Sequence, residues 1–292
     1  MVASYLRPAE LPTALEALAQ GVAEGRPRVV VAGATDHYPA RVGRVADEDV
    51  LDISALSGLR EIVAHDGGWW IGAGATWTDL VERPLPATFD GLRRAARAVG
   101  GLQIQNRATI VGNVCNASPA ADGIPNLLAL DAIVRLISVR GERRVPIGEF
   151  VTGNRTTVRA PDELVSGLFV PDQVGGSPAE PGTRATSTFL KLGARAYLVI
   201  SIAMVAAVVV RDAGRRITAA RLAVGACSPV ARRIPDLEAE LAGQRLQRGI
   251  GDIVRADHLG SLSPIDDVRG TAGYRREAAL ILVRRALEEL AS

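Results

Sequence analysis

Residues 104–122 read IQNRATIVGNVCNASPAAD. Small and polar residues dominate from Gln103 to Asp122, although nearly half of the chain is apolar. An ordinary helix start, with Ser118 as cap and Pro119 at the first helical position, accounts for two of these residues. It leaves the rest of the run unexplained. A lining for a ligand explains the whole, because small residues let backbone approach closely and successive N–H groups in a turn form a concave anion site. The segment Thr109-Ile110-Val111-Gly112-Asn113 is the glycine-bearing loop of this run. A second such loop lies upstream, Ala32-Gly33-Ala34-Thr35-Asp36, directly after the apolar run Val29–Val31. A pyrophosphate suits both, with side-chain hydrogen bonds from Thr35, Thr109 and Asn113. Neither loop reads GxxxxGK[ST] or GxGxxG, so a P-loop and the Rossmann fingerprint are excluded. Asp122 would repel phosphate, which places it on a ribose hydroxyl or another donor, or else in solvent as a surface carboxylate.

Around these loops the pattern is α+β, with a larger N-terminal domain and a smaller sheet-plus-helix C-terminal domain. Apolar spacing predicts a helix from Leu11 to Ala19, helices near 75–80, 91–99 and 126–130, and strands over 26–33, 50–54, 58–77, 132–139, 143–146 and 163–171. Asp172 to Thr183, rich in Gly and Pro, is the expected boundary. Domains of 1–174, divided near residue 56, and 183–292 follow. Beyond it lie strand material at 187–193, the apolar run 196–210, strands within 215–227, and a periodic helix over 273–290 with Ala278, Leu282, Ala286 and Leu290 on one face.

Several function classes drop out. A net charge of +2 over 292 residues does not suit a nucleic-acid binder. Cys115 and Cys227 are the only cysteines, too few for a disulfide framework or for the four ligands of a [2Fe–2S] cluster. The three histidines, His37, His65 and His258, have no metal-ligand spacing, so no metal is expected. The run 196–210 is shorter than the roughly 20 residues of a bilayer span. With no signal-peptide core at the N-terminus, a soluble cytoplasmic protein is expected. Lys191 is the only lysine in a chain that otherwise uses arginine.

AGATD (32–36) together with residues 104–122 resembles the paired flavin-binding signature of the FAD-binding, or medium, subunits of molybdenum hydroxylases of the xanthine and carbon monoxide dehydrogenase type. That pattern runs AGGTD, then Q-x-x-N/R-x-x-TIGGN-x-x-x-ASPxxD. The likeness continues, in order, through LLALDA (127–132), ELVSGLFVP (163–171), FLKLGARAYLVISIAMVAA (189–207) and DDVRGTAGYRR (266–276). It implies a two-part FAD-binding domain of the PCMH/vanillyl-alcohol-oxidase type, followed by a smaller α/β sandwich. It also implies roles for residues. Ala32, Gly33, Ala34, Thr35, Asp36 and His37 form the first pyrophosphate loop, and Ala108, Thr109, Gly112 and Asn113 the second. Asn116, Ser118 and Asp122 extend the contact toward ribityl and ribose. Val165 touches the isoalloxazine, and Lys191 stands near the flavin ring, where a cation stabilises the reduced flavin. Tyr197 either covers a ring face or belongs to the core. No catalytic acid–base pair is implied. The implied partners are a molybdenum-cofactor large subunit and a [2Fe–2S] small subunit, with electrons leaving FAD for NAD, oxygen or another acceptor. TDHYPARVG (35–43) is closest to the xanthine dehydrogenase branch.

Two positions depart from the pattern. Ala34 replaces a glycine of the first loop, and Val111 replaces the first glycine of the second pair. Valine is stiff and disfavours positive φ. These positions leave room for a docking subunit that has lost FAD. The other competing reading is a free-standing flavin oxidoreductase of the same fold, which would need its own substrate domain.

Overall fold

The computed structural model describes residues 3–43, 47–172, 182–196 and 198–292. The expected boundary falls largely outside them, and Tyr197 does so entirely.

The chain opens with a small parallel sheet. Strand β1 (Tyr5–Leu6) is followed by α1 (Leu11–Ala23), β2 (Val29–Val31) and β3 (Val50–Asp52), in spatial order β1-β3-β2. Helix α1 buries Ala14, Ala17, Leu18 and Gly21, the i, i+3, i+4, i+7 stripe of an amphipathic helix.

Next come β4 (Ile62–His65), β5 (Gly68–Gly72), α2 (Trp77–Glu82), α3 (Asp90–Ala98), α4 (Leu102–Gln105), α5 (Ile110–Asn116) and α6 (Gly123–Ala129). They are followed by β6 (Ile133–Ser138), β7 (Gly141–Pro146), α7 (Ile147–Phe150), the hairpin β8 (Val151–Gly153) and β9 (Thr156–Thr157), and β10 (Leu164–Pro171). Strands β4-β5-β10-β6-β7 form an antiparallel sheet with β10 in its centre, and among the described residues β8 pairs only with β9. The register of β10 on β6 slips between Val165 and Gly167, a bulge of the kind that re-aims side chains.

The last part is a second antiparallel sheet, β11 (Arg184–Leu192), β12 (Ala203–Arg211), β13 (Ile217–Gly225) and β14 (Arg232–Arg233), with α8 (Pro235–Leu241) and α9 (Ala272–Ala291). Only the second half of the apolar run, from Ala203, becomes β12, which reads as continuously hydrophobic because both of its faces are covered; described residues 198–202 precede it outside any strand. Met204, Ala206 and Val208 join the core shared with α3 and α6. Ala203, Val205, Ala207 and Val209 join a second core under α9, where Ala278, Leu282 and Ala286 are buried. This sheet is therefore a layer common to both halves of the chain. Ion pairs reinforce the seam: Asp131 accepts from Arg221 at 3.2 Å and from Arg233 at 2.8 Å.

A local expectation fails after α5. No helix begins at Ser118-Pro119. Helix α5 ends at Ala117 in the left-handed conformation (φ 49°), and Ser118 to Ala121 close a turn, with Ala121 N–H donating to the Ser118 carbonyl at 3.0 Å. The next helix starts at Gly123, with Asp122 at its cap position.

Candidate functional site

The first expected loop is a loop. Strand β2 ends at Val31, and Ala34 then takes a left-handed φ of 56°. The amides of Gly33, Ala34, Thr35 and Asp36 donate no hydrogen bond among the described residues. A run of free N–H groups around a left-handed residue has the backbone form of an anion-binding concavity. Gly33 makes the geometry possible: a β-carbon there would lie 1.8 Å from the Arg107 carbonyl oxygen and 3.0 Å from the Ala108 α-carbon. Only a hydrogen fits, so the loop lies directly against the residues that precede α5. His37 follows, its imidazole pKa lowered by partial burial and by the neighbouring Arg41 cation.

The second expected loop is the first turn of a helix. Thr109 is the cap of α5, its hydroxyl accepting from the Gly112 N–H at 2.9 Å. The segment is pinned from outside by an antiparallel bridge: Trp77 N–H donates to Ala108 O at 3.2 Å, and Ile110 N–H to Ala75 O at 3.0 Å. Val111 has ordinary helical backbone and is 3% exposed within the core. Its bulk therefore strains no backbone, although Val111 is among the residues that border the cavity between the two segments. Asn113 Oδ1 accepts the Gly123 N–H at 3.2 Å, tying α5 to α6.

Between these two walls lies a cavity of about 1160 Å³. This exceeds the roughly 300–1,000 Å³ of sites for drug-sized ligands and suits something longer. Ala32, Gly33, Ala34, Thr35, Asp36, His37, Ala108, Thr109, Gly112, Asn113, Asn116 and Val165 all line it. Val165 reaches it from the bulge of β10. Residues 32–37 and 108–116, far apart in sequence, thus meet on one cavity.

Ser118, Asp122 and Lys191 do not line this cavity. Asp122 is buried and accepts from Lys191 Nζ and from Ser201 Oγ, each at 2.6 Å. Burial pushes the Asp122 carboxyl up, while Lys191 pulls it the other way. Each of these two expected site residues has the other as its partner, so Lys191 presents an ion pair and not a bare cation. The pair adjoins the wall, because Gly123, next to Asp122, is the residue that Asn113 holds.

Several cavity residues had gone unnoticed: Arg28, Arg41, Cys115, Arg155 and Arg159. Burial raises the Cys115 thiol to about 11, which keeps it protonated. Arg41 is locked on Glu48 at 2.6 and 2.7 Å, and Arg159 on the Glu163 carbonyl at 2.7 Å. Arg155, at the tip of the β8–β9 hairpin, donates to Asp36 Oδ2 at 2.8 Å and to Asn116 Oδ1 at 2.5 Å. Gly153-Asn154 is a turn signal that could have found the hairpin. Nothing local in the sequence tells where its tip lands.

Comparison with known proteins covers nearly the whole chain. Residues 1–173 match the family described as FAD binding domain in molybdopterin dehydrogenase, and residues 188–290 match the CO dehydrogenase flavoprotein C-terminal domain. The chain belongs to the FAD-binding subunits of the molybdopterin dehydrogenases. It is similar to the putative xanthine dehydrogenase FAD-binding subunit of Escherichia coli (strain K12), 30% identical over 98% of this chain and 95% of that one. It is also similar to the glyceraldehyde dehydrogenase medium chain of Sulfolobus acidocaldarius, at 29% over 99% and 98%. Among solved structures, a carbon monoxide dehydrogenase chain from Hydrogenophaga pseudoflava superposes with a TM-score of 0.86 at 27% identity, over 99% of this chain and 97% of that one. The protein is thus an oxidoreductase flavin subunit whose fold is an FAD-binding domain followed by the C-terminal domain of that family. No described helix is long and apolar enough to cross a membrane.

Proposed function

We propose that this subunit holds FAD along the cavity between the Gly33–His37 loop and α5, and relays electrons from [2Fe–2S] clusters of a partner subunit to an acceptor. The supporting observation is the contact of Gly33 with Arg107. It brings the wall of four free amides up against the wall that carries the capped start of α5. The pyrophosphate rests on the amides of Gly33, Ala34, Thr35 and Asp36, within reach of Thr109, Gly112 and Asn113. Asn116 borders the stretch beyond, toward ribityl and ribose, and Val165 packs on the ring. Ser118 shapes the turn that carries the chain to Asp122. Asp122, held by Ser201, pairs with Lys191 behind the wall, so any effect of Lys191 on the reduced ring is exerted by this ion pair and not by direct contact. Bound FAD supplies the electron exchange itself; the chain contributes binding, orientation and electrostatics. Its partners are a molybdenum-cofactor large subunit and an iron–sulfur small subunit, and the acceptor is NAD, oxygen or another oxidant.

The test is the visible spectrum of the chain co-expressed with its partner subunits and titrated with FAD. Absorption near ~450 nm and quenched flavin fluorescence are expected, as general properties of bound flavin, and both should be lost in Asn113→Ala. Absence of flavin from the assembled complex would overturn the assignment.

A further inference from the structure

Arg155 has two features that its contribution to folding does not explain. It is a non-glycine residue at φ 54°, and its backbone N–H donates at 2.9 Å to the carbonyl of Ala117, itself at φ 49°. Ala117 is the ordinary left-handed end of α5, whereas a hairpin-loop position with positive φ would be held without strain by glycine, so the arginine there carries a cost. The ion pair this geometry creates is more than half exposed on both sides, at 55% for Arg155 and 52% for Asp36. Exposed pairs contribute little to stability. Among the described residues the hairpin carrying Arg155 pairs with no other sheet, and a lone two-stranded ribbon is weak by itself.

What the geometry does achieve lies at the cavity. The Arg155 guanidinium bridges Asp36, on the first loop, and Asn116, at the end of α5; all three line the cavity. Asp36 also poses an electrostatic difficulty. Its amide belongs to the anion-binding run, yet its side chain is a carboxylate beside the place proposed for two phosphates. We infer that Arg155 is a positioning residue for the cofactor: it straps the two walls together across the cavity and neutralises Asp36, so that the pyrophosphate enters a site without a competing negative charge. This rests on the FAD assignment proposed above.

The experiment measures FAD release from the assembled complex, by dilution and flavin fluorescence, together with thermal melts of the flavin-free form. Arg155→Gln is expected to release FAD roughly tenfold faster, the effect of losing one charge-assisted hydrogen bond. Arg155→Lys should recover part of the loss. The decisive variant is the double one: Asp36→Asn combined with Arg155→Gln should hold FAD more tightly than Arg155→Gln alone, because the uncompensated carboxylate is gone. An unchanged release rate in Arg155→Gln overturns the inference. So does a double variant no tighter than the single one, or a change in the melt of the flavin-free form large enough to account for the loss. If the wild-type complex carries no flavin, the inference and the FAD assignment fall together. If it does and only the variants behave like wild type, the strap alone is wrong.

Discussion

The two walls of the cavity look alike in sequence and are built differently. Both carry threonine, glycine and small residues, and both have lost a family glycine. The first wall is irregular backbone, held open by Ala34 in a left-handed conformation and by the close approach of Gly33 to Arg107. The second is a capped helical turn pinned by a bridge to residues 75–77. The same kind of replacement therefore has opposite meanings. Ala34 occupies a backbone that favours glycine. Val111 occupies a helix and fills core. A lost glycine is informative only once the backbone beneath it is known.

The largest effect belongs to Gly33→Ala. The new methyl would meet backbone, which cannot move aside without parting the two walls. We expect loss of flavin and destabilisation of at least about 3 kcal/mol, at the upper end for single substitutions. Urea unfolding and flavin content check this; a stable Gly33→Ala protein with full flavin would show that the walls are not joined at this point.

Val111→Gly comes next. If the second wall were a glycine loop strained by valine, restoring glycine would stabilise it. With Val111 buried in a helix, the substitution removes core volume and adds helix-breaking freedom, and should cost about 3 kcal/mol. A rise in melting temperature would break the comparison. Thr109→Ala is smaller. It removes the hydroxyl that caps α5 and should cost about 1 kcal/mol, with Thr109→Ser close to wild type.

Much of the fold was legible. Strand β12 stood out as an uninterrupted apolar run, and α9 as a repeating face, because burial on two sides and burial on one side leave different periods. Which half of the chain would cover each face of β12 was not legible, since that depends on α3 and α6 packing from far away in sequence. At the site, residues 32–37 and 108–116 were legible as the lining of one cavity because small residues cluster there for no internal reason. The partnership of Asp122 with Lys191, 69 residues away, was not. Each looked like a separate cofactor contact until topology made them neighbours. Arg155 was invisible for a related reason: an arginine in a polar turn is unremarkable in a chain where nearly every cation is arginine.

The smallest effect is the sharpest test of the contrast, because its sign is diagnostic. Ala34→Gly removes a β-carbon from a left-handed position, where it costs about 1–2 kcal/mol. Glycine gives back about 0.5–1 kcal/mol of that through the greater freedom of the unfolded chain. A net gain of roughly 0.5 kcal/mol remains, readable as a small rise in the thermal midpoint of the flavin-free protein. Ala34→Val should move the midpoint down, since a β-branched residue resists positive φ. At Val111 the glycine substitution should move it down as well. Glycine raising stability on one wall and lowering it on the other is what a loop facing a capped helix requires. A gain at both positions, or a loss at both, would mean that the two walls share one backbone after all.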